Sequence, residues 1–135
     1  MNPKTILIVD DDSDLVLGLT VRLRAKGYRV LSAVDATSAL EMHREKPDLL
    51  ILDLGLPGGD GFSVLEQIKA PEGETATPTI VLSGRSAIGN KERALKAGAV
   101  AYFQKPPENN ALLSAIRLAL GENGALGPAA QMQSA

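Results

Sequence analysis

Five short apolar runs recur along this chain, each closed by a polar turn instead of growing into a long hydrophobic stretch. Thr5–Val9, Tyr28–Ala33, Asp48–Leu52, Thr79–Ser83 and Val100–Gln104 have the length and character of buried parallel strands. The stretches between them carry helix signals. A first helix is expected from Ser13 to Lys26, with Asp12 or Ser13 as N-cap, Asp14 in its first turn and Gly27 past its end. A second follows the cap Asp35 and stops before Pro47, and a third covers Phe62–Ala70, with a polar loop at Pro71–Thr77 after it. A fourth has its body at Gly89–Ala97 with Gly98 as its stop, and a fifth spans Asn109–Leu120. Five βα units in about 120 residues predict an α/β fold: an open, doubly wound, five-stranded parallel sheet with helices on both faces. Right-handed crossovers leave few layouts, and 2-1-3-4-5 is the common order at this size.

Three of these runs end in reactive side chains. Asp10 and Asp11 follow Ile6–Val9, Asp53 follows Leu49–Leu52, and Lys105, with Pro106 behind it, follows Val100–Gln104. In a parallel sheet these ends open on one edge, so three carboxylates and one ammonium converge there. Strands 1 and 3 flank the topological switch point, where such folds bind ligands. Crowded carboxylates repel one another and are costly to desolvate, so stability does not explain them and a bound or reacting group does. Close carboxylates without His or Cys suit a hard divalent cation, and Mg²⁺ prefers oxygen ligands. A carboxylate can also accept a phosphoryl group as an acyl phosphate, a transfer that needs positioning and cancellation of negative charge. Asp53 stands alone opposite the Asp10–Asp11 pair and is the candidate nucleophile.

Composition excludes several classes. The chain of 135 residues is long enough for one real core, and its formal charge of −2 gives no general reason to bind nucleic acid or an anionic membrane. No apolar run approaches the roughly 20 residues of a membrane span, and Met1–Lys4 leads straight into a strand, so a cytoplasmic protein is the simplest expectation. With no cysteine there are no disulfides, thiolate metal sites or Cys nucleophiles.

From Lys4 to Leu120 the sequence resembles the receiver domain of bacterial two-component response regulators, the CheY-like (βα)5 variant of the flavodoxin-like fold. The resemblance is carried by Ile6–Asp12, by Asp53-Leu-Gly-Leu-Pro57 with Asp60-Gly61, by Ile80–Gly84, and by Ala101–Pro106, in order and in register with the strands. It implies that Asp10 and Asp11 hold Mg²⁺ (or Mn²⁺) together with Asp53 and the Gly55 carbonyl. Asp53 would take a phosphoryl group from a histidine kinase or a histidine phosphotransfer protein. Ser83 would donate its hydroxyl to one phosphoryl oxygen and Lys105 would pair with another. The resemblance also implies a cis Lys105–Pro106 peptide, a switch in which Ser83 and Tyr102 move together, and a phosphoacceptor that is not an enzyme, with self-catalysed phosphoryl transfer and autodephosphorylation at most. A weak homodimer through helix 4, strand 5 and helix 5 is expected, with Leu113 and Leu118 facing outward beside helix 4.

Departures from the family pattern leave the reacting groups intact. Ser83 replaces a commoner threonine, Gly84 a commoner alanine, Pro107 a frequent aromatic and Glu108 a better cap. Gly55 and Arg85 occupy positions that tune phosphoryl lifetime. An aspartyl-phosphate phosphatase would need a second Asp where Gly55 stands, and a flavodoxin-type carrier would need a hydroxyl-rich loop where Asp10–Asp12 stand. A receiver-fold scaffold that is not phosphorylated is the remaining alternative. Asp12, Ser13 and Asp14 read as helix-capping residues, and Asp60-Gly61 as a turn in which Gly61 takes a backbone shape other residues resist. His43, Arg85, Lys91, Arg93 and Lys96 read as solvated. Domain 1–120 would be the receiver and 121–135 a linker or free tail, with an effector domain possible beyond it.

Overall fold

A computed structural model of the protein describes residues 3–57, 60–69 and 76–122. The elements alternate as expected: β1 (Thr5–Val9), α1 (Ser13–Ala25), β2 (Arg29–Ala33), α2 (Ala36–His43), β3 (Leu49–Leu52), α3 (Gly61–Gln67), β4 (Thr79–Ser83), α4 (Ala87–Lys96), β5 (Ala101–Gln104) and α5 (Asn109–Ala119). The five strands form one parallel sheet in the order β2-β1-β3-β4-β5. Register runs across it through Leu7 opposite Leu31 and Leu50, Ile51 opposite Ile80, and Val81 opposite Tyr102.

Side chains alternate between the faces of a strand, so a run buried on both sides reads as continuously apolar. Leu7, Val9, Leu50, Leu52, Val81 and Tyr102 face the layer that holds Ala39 of α2, Val64 of α3 and Ala94 of α4. Ile6, Ile8, Leu49, Ile51, Ile80, Leu82 and Phe103 face α1 and α5 on the other side. The edge strand β2 departs most from full burial, while β1 and β5 do so only at Thr5 and Gln104.

The boundaries shift from expectation where caps consume residues. At the end of α1, Gly27 takes φ 94° and donates to the Arg24 carbonyl, while Tyr28 donates to that of Leu23. This closing turn uses Tyr28, so β2 begins one residue later than the apolar run suggests. The end of α5 repeats the device: Gly121 donates to the Leu118 carbonyl and Glu122 to that of Arg117. The two closing residues then meet, and the Tyr28 hydroxyl donates to a Glu122 carboxylate oxygen at 2.6 Å. Further along, α4 is broken inside its first turn. Ile88 has ψ 120° and Gly89 φ 74°, and Ile88 projects 89% exposed. Finally, α3 stops at Gln67, short of the expected end at Ala70, which like most of the Pro71–Thr77 loop lies outside the described residues.

Three sequence expectations are corrected here. Leu113 does not face outward beside α4. It is half-buried and lines a groove against Leu19, Arg22 and Leu23 of α1, because α5 shares the α1 face of the sheet. Leu118 is also half-buried. His43 is not simply solvated: its Nε2 lies 3.0 Å from the Thr77 hydroxyl, and burial lowers its pKa. Arg93 stacks over the Phe62 ring with its guanidinium carbon 3.7 Å from the centroid, and so is more than a solvated cation. The expected tail lies outside the described residues from 123 onward.

The bond between the two closing turns can be tested by pH. Burial, then the Glu122 bond and charge, push the Tyr28 hydroxyl up to about 12 from an ordinary 10.0. Between those values the folded state keeps a proton that the unfolded chain has lost. Its contribution is therefore complete below pH 10.0 and lost as pH rises through about 12. Tyr28→Phe is expected to lower stability by about 1 kcal/mol in urea titration at neutral pH. The variant should also show a smaller loss than the native chain on going to strongly alkaline pH.

Candidate functional site

Each reactive side chain leaves the sheet at the last rung of its strand. The Asp10 amide donates to the Ala33 carbonyl at 3.0 Å, the Asp53 amide to the Val9 carbonyl at 2.9 Å, and the Lys105 amide to the Ser83 carbonyl at 2.7 Å. Ladder bonds thus fix three Cα positions on one edge, and the pleat turns their side chains toward each other. The Lys105 ammonium lies 2.8 Å from one Asp10 oxygen and 3.5 Å from one Asp53 oxygen. The remaining carboxylate oxygens accept from the chain two residues on: Asp10 from the Asp12 amide at 2.9 Å, and Asp53 from the Gly55 amide at 3.2 Å. Both turns are short Asx-type loops, which hold each carboxylate in one orientation. The Lys105–Pro106 peptide is cis, as expected.

Asp10 is 3% and Asp53 7% exposed, whereas Asp11 is open to solvent. Burial raises the Asp10 pKa above the usual carboxylate range, and the bonds from Lys105 and the Asp12 amide pull it back. For Lys105, burial lowers the pKa, but the Asp10 bond and the charges of Asp10 and Asp53 together outweigh it, so the net shift is upward. Burial therefore dominates at the acid and pairing at the base, as expected when two carboxylates share one ammonium.

The site offers a metal an all-oxygen donor set. One carboxylate oxygen each from Asp10, Asp11 and Asp53 lie within 4.8 Å of one another, with no nitrogen or sulfur ligand in the cluster. Such a set fits a hard divalent cation and would be a poor home for a soft one. Asp12 takes no part. Its carboxylate caps α1 by accepting from the Leu15 amide at 3.2 Å, as the helix signal predicts.

Around this centre lies a second set of contacts. Ser83 is 1% exposed, and its hydroxyl oxygen accepts from the Arg85 amide at 3.2 Å. The Tyr102 ring is already inside, 2% exposed, with its hydroxyl donating to the Arg85 carbonyl at 2.7 Å and also facing that of Ser86 at 3.3 Å. Burial raises its pKa, which the Ser83 hydroxyl and the Arg85 charge pull back. Arg85 is exposed, as its solvated reading expects, with its guanidinium 3.8 Å from the Asp60 carboxylate.

Sequence reasoning brought Asp10, Asp11, Asp53 and Lys105 to one place, and the structure joins them there. Lys105 meets two carboxylates, and the shorter contact is to Asp10. Sequence reasoning also read Asp60 only as a turn residue. Asp60 caps α3, accepting from the Phe62 amide at 3.0 Å, and the spacing of Asp60 ahead of the apolar Phe62, Val64 and Leu65 carried that signal.

A doubly wound sheet with acids at its switch point and a lysine facing them defines the receiver class. Residues 6–117 match the family described as the response regulator receiver domain, and the chain belongs to that family. It is 37% identical over 120 residues to the transcriptional regulatory protein PrrA of Mycobacterium tuberculosis, a match covering 88% of this chain and 51% of that protein. The chain spans about half the length of the curated relatives it matches. Among solved structures, a putative response regulator from Chloroflexus aurantiacus superposes with TM-score 0.80 at 33% identity, covering 88% of this chain and 98% of that one. The BeF3-activated N-terminal receiver domain of Klebsiella pneumoniae RstA gives 0.78 at 30% identity, covering 87% and 98%.

Removing the shared ammonium should move the Asp10 titration. The Lys105 bond lowers the Asp10 pKa, so Lys105→Met is expected to shift its carboxyl carbon resonance to a higher midpoint. The corresponding stability term is present at low pH and lost as pH rises through the folded-state value, so its window should extend upward. An unchanged midpoint would show that the ammonium does not govern this carboxylate.

Proposed function

We propose that this receiver domain is a Mg²⁺-dependent phosphoacceptor in which Asp53 is the nucleophile. The observation that carries the reading is the convergence of Asp10, Asp11 and Asp53 on one edge with the Lys105 ammonium between two of them. An Asp53 oxygen attacks the phosphorus of a phosphohistidine on a histidine kinase or phosphotransfer protein. The new O–P bond forms as the N–P bond breaks, and the histidine nitrogen leaves with the electron pair and takes a proton. Asp10, Asp11 and Asp53 with the Gly55 carbonyl hold the cation, which when bound neutralises charge on the transferring group. Lys105 leaves Asp10 to meet a phosphoryl oxygen, and Ser83 donates its hydroxyl to another. That Klebsiella RstA was crystallised in a BeF3-activated state supports such a switch by analogy.

The response runs through the β4–α4 loop. Ser83 touches that loop at the Arg85 amide and Tyr102 at the Arg85 and Ser86 carbonyls. Recruitment of Ser83 therefore acts on a segment the tyrosine already grips, and the break at Ile88 and Gly89 gives it room to move. This is a shift between two packings, limited to the differential binding that one charge-assisted hydrogen bond supplies, about 1.5–3 kcal/mol. Output passes to an effector domain following the receiver, as the names and length of the relatives support. Among the described residues no helix is long and apolar enough to cross a membrane, and a cytoplasmic location fits the kinase reading. Self-association through α4, β5 and α5 rests on the exposed Ile88 and Leu95 of α4, since Leu113 faces α1.

Asp53→Asn is expected to abolish the mass increment that acetyl phosphate and Mg²⁺ give the native chain. Asp10→Ala with Asp11→Ala should make labelling slow and insensitive to metal. Undiminished labelling of Asp53→Asn would sink the assignment, repeated turnover would mark a phosphatase, and an unlabelled native chain a scaffold. Beryllofluoride should shift amide resonances across 84–96 and 101–104, and sedimentation should show stronger self-association that Ile88→Asp removes.

A further inference from the structure

The first turn of α3 sits directly on the peptide group that joins Asp53 to Leu54. Gly61, the first residue of that helix, is buried, and its amide donates to the Leu54 carbonyl at 2.9 Å. Asp60 caps the turn, and Phe62, Val64 and Leu65, at 5%, 0% and 3% exposure, anchor the helix in the core. A β-carbon on Gly61 would fall 2.7 Å from the Leu54 Cα and 3.2 Å from the Asp53 carbonyl carbon, with the Asp53 carbonyl oxygen nearer still. All three are backbone atoms, which cannot swing aside as the end of a side chain can.

The requirement is room and not dihedral freedom. Gly61 is absent from the glycines with positive φ, so the sequence expectation of an unusual backbone shape is corrected. Gly18, Gly55 and Gly84, by contrast, have nothing within 4 Å of an added β-carbon. The peptide that would be displaced carries the Asp53 side chain at one end. At the other it leads to Gly55, whose amide binds an Asp53 carboxylate oxygen.

We infer that Gly61 is a positioning residue for the phosphoacceptor: its missing side chain lets α3 seat on the Asp53–Leu54 peptide and so sets the direction of the Asp53 carboxylate toward Asp10 and Lys105. This rests on the reading of Asp53 as phosphoacceptor. A displacement of about 1 Å at a reacting group can lower a rate on the order of a hundredfold, so a single methyl group suffices.

The test compares the native chain, Gly61→Ala and the control Gly18→Ala, whose methyl meets open space. Labelling by acetyl phosphate with Mg²⁺ is followed by mass spectrometry, and Mg²⁺ affinity of the folded protein by amide resonances. Gly61→Ala is expected to label at least about tenfold more slowly and to bind Mg²⁺ more weakly, with Gly18→Ala matching the native chain. A role in stability alone would move the unfolding midpoint and leave the metal affinity of folded molecules unchanged. In the native chain the Gly61 amide should shift with that of Gly55 when Mg²⁺ and beryllofluoride are added. Native labelling with Gly61→Ala within about twofold in rate and equal in Mg²⁺ affinity overturns the inference. Should Gly61→Ala fail to fold, a Gly61 amide that stays still while that of Gly55 moves overturns it as well. An unlabelled native chain overturns instead the reading of Asp53 beneath it.

Discussion

The ammonium of Lys105 between Asp10 and Asp53 is the contact on which the rest of the site depends. Two carboxylates that are nearly fully buried on adjacent strands repel each other and lose hydration, which burial alone does not repay. One cation within 2.8 Å of the first and 3.5 Å of the second offsets that cost. Under the proposed function the same contact is the one that changes, because a cation would compete with Lys105 for the carboxylates and a phosphoryl oxygen would compete with the carboxylates for Lys105.

What holds the ammonium in place is mostly backbone. The Lys105 amide bonds to the Ser83 carbonyl, so the lysine and the proposed switch serine hang from one rung between β4 and β5. Tyr102 stands two residues before Gln104 on the same strand, and its hydroxyl grips the loop after Ser83. The strand β5 therefore touches the acid cluster through its end and the β4–α4 loop through its middle. Asp53 is held in a comparable way from two sides, by the Gly55 amide on its carboxylate and by Gly61 under its peptide. The site is a set of side chains whose freedom is removed by main-chain contacts, the condition under which positioning contributes most to reactivity.

The opposite end of the molecule uses different physics. There the closing turns of α1 and α5 meet through Tyr28 and Glu122, which ties the ends of the two helices together.

Much of this was legible in the residues. Continuous apolar runs imply strands covered on both faces, gaps of helical length between them imply crossovers, and crossover handedness leaves few strand orders. Strand ends then place Asp10, Asp53 and Lys105 on one edge, because a parallel sheet gives its strands a common direction. The caps Asp12 and Asp35 were legible too, since a side chain three positions from an amide is a local matter. Leu113, the Tyr28–Glu122 bond, the Asp10–Lys105 pairing and the room under Gly61 were not. Each depends on how far apart two elements lie once both have packed. A glycine reads in sequence as conformational freedom, whereas Gly61 is needed because another segment's backbone occupies the space its side chain would take. Local sequence determined the elements, their order and the edge where the chemistry gathers. Tertiary packing decided which partner each charge took and which helix face was covered, because those distances are set by the close packing of the whole core and by no single segment.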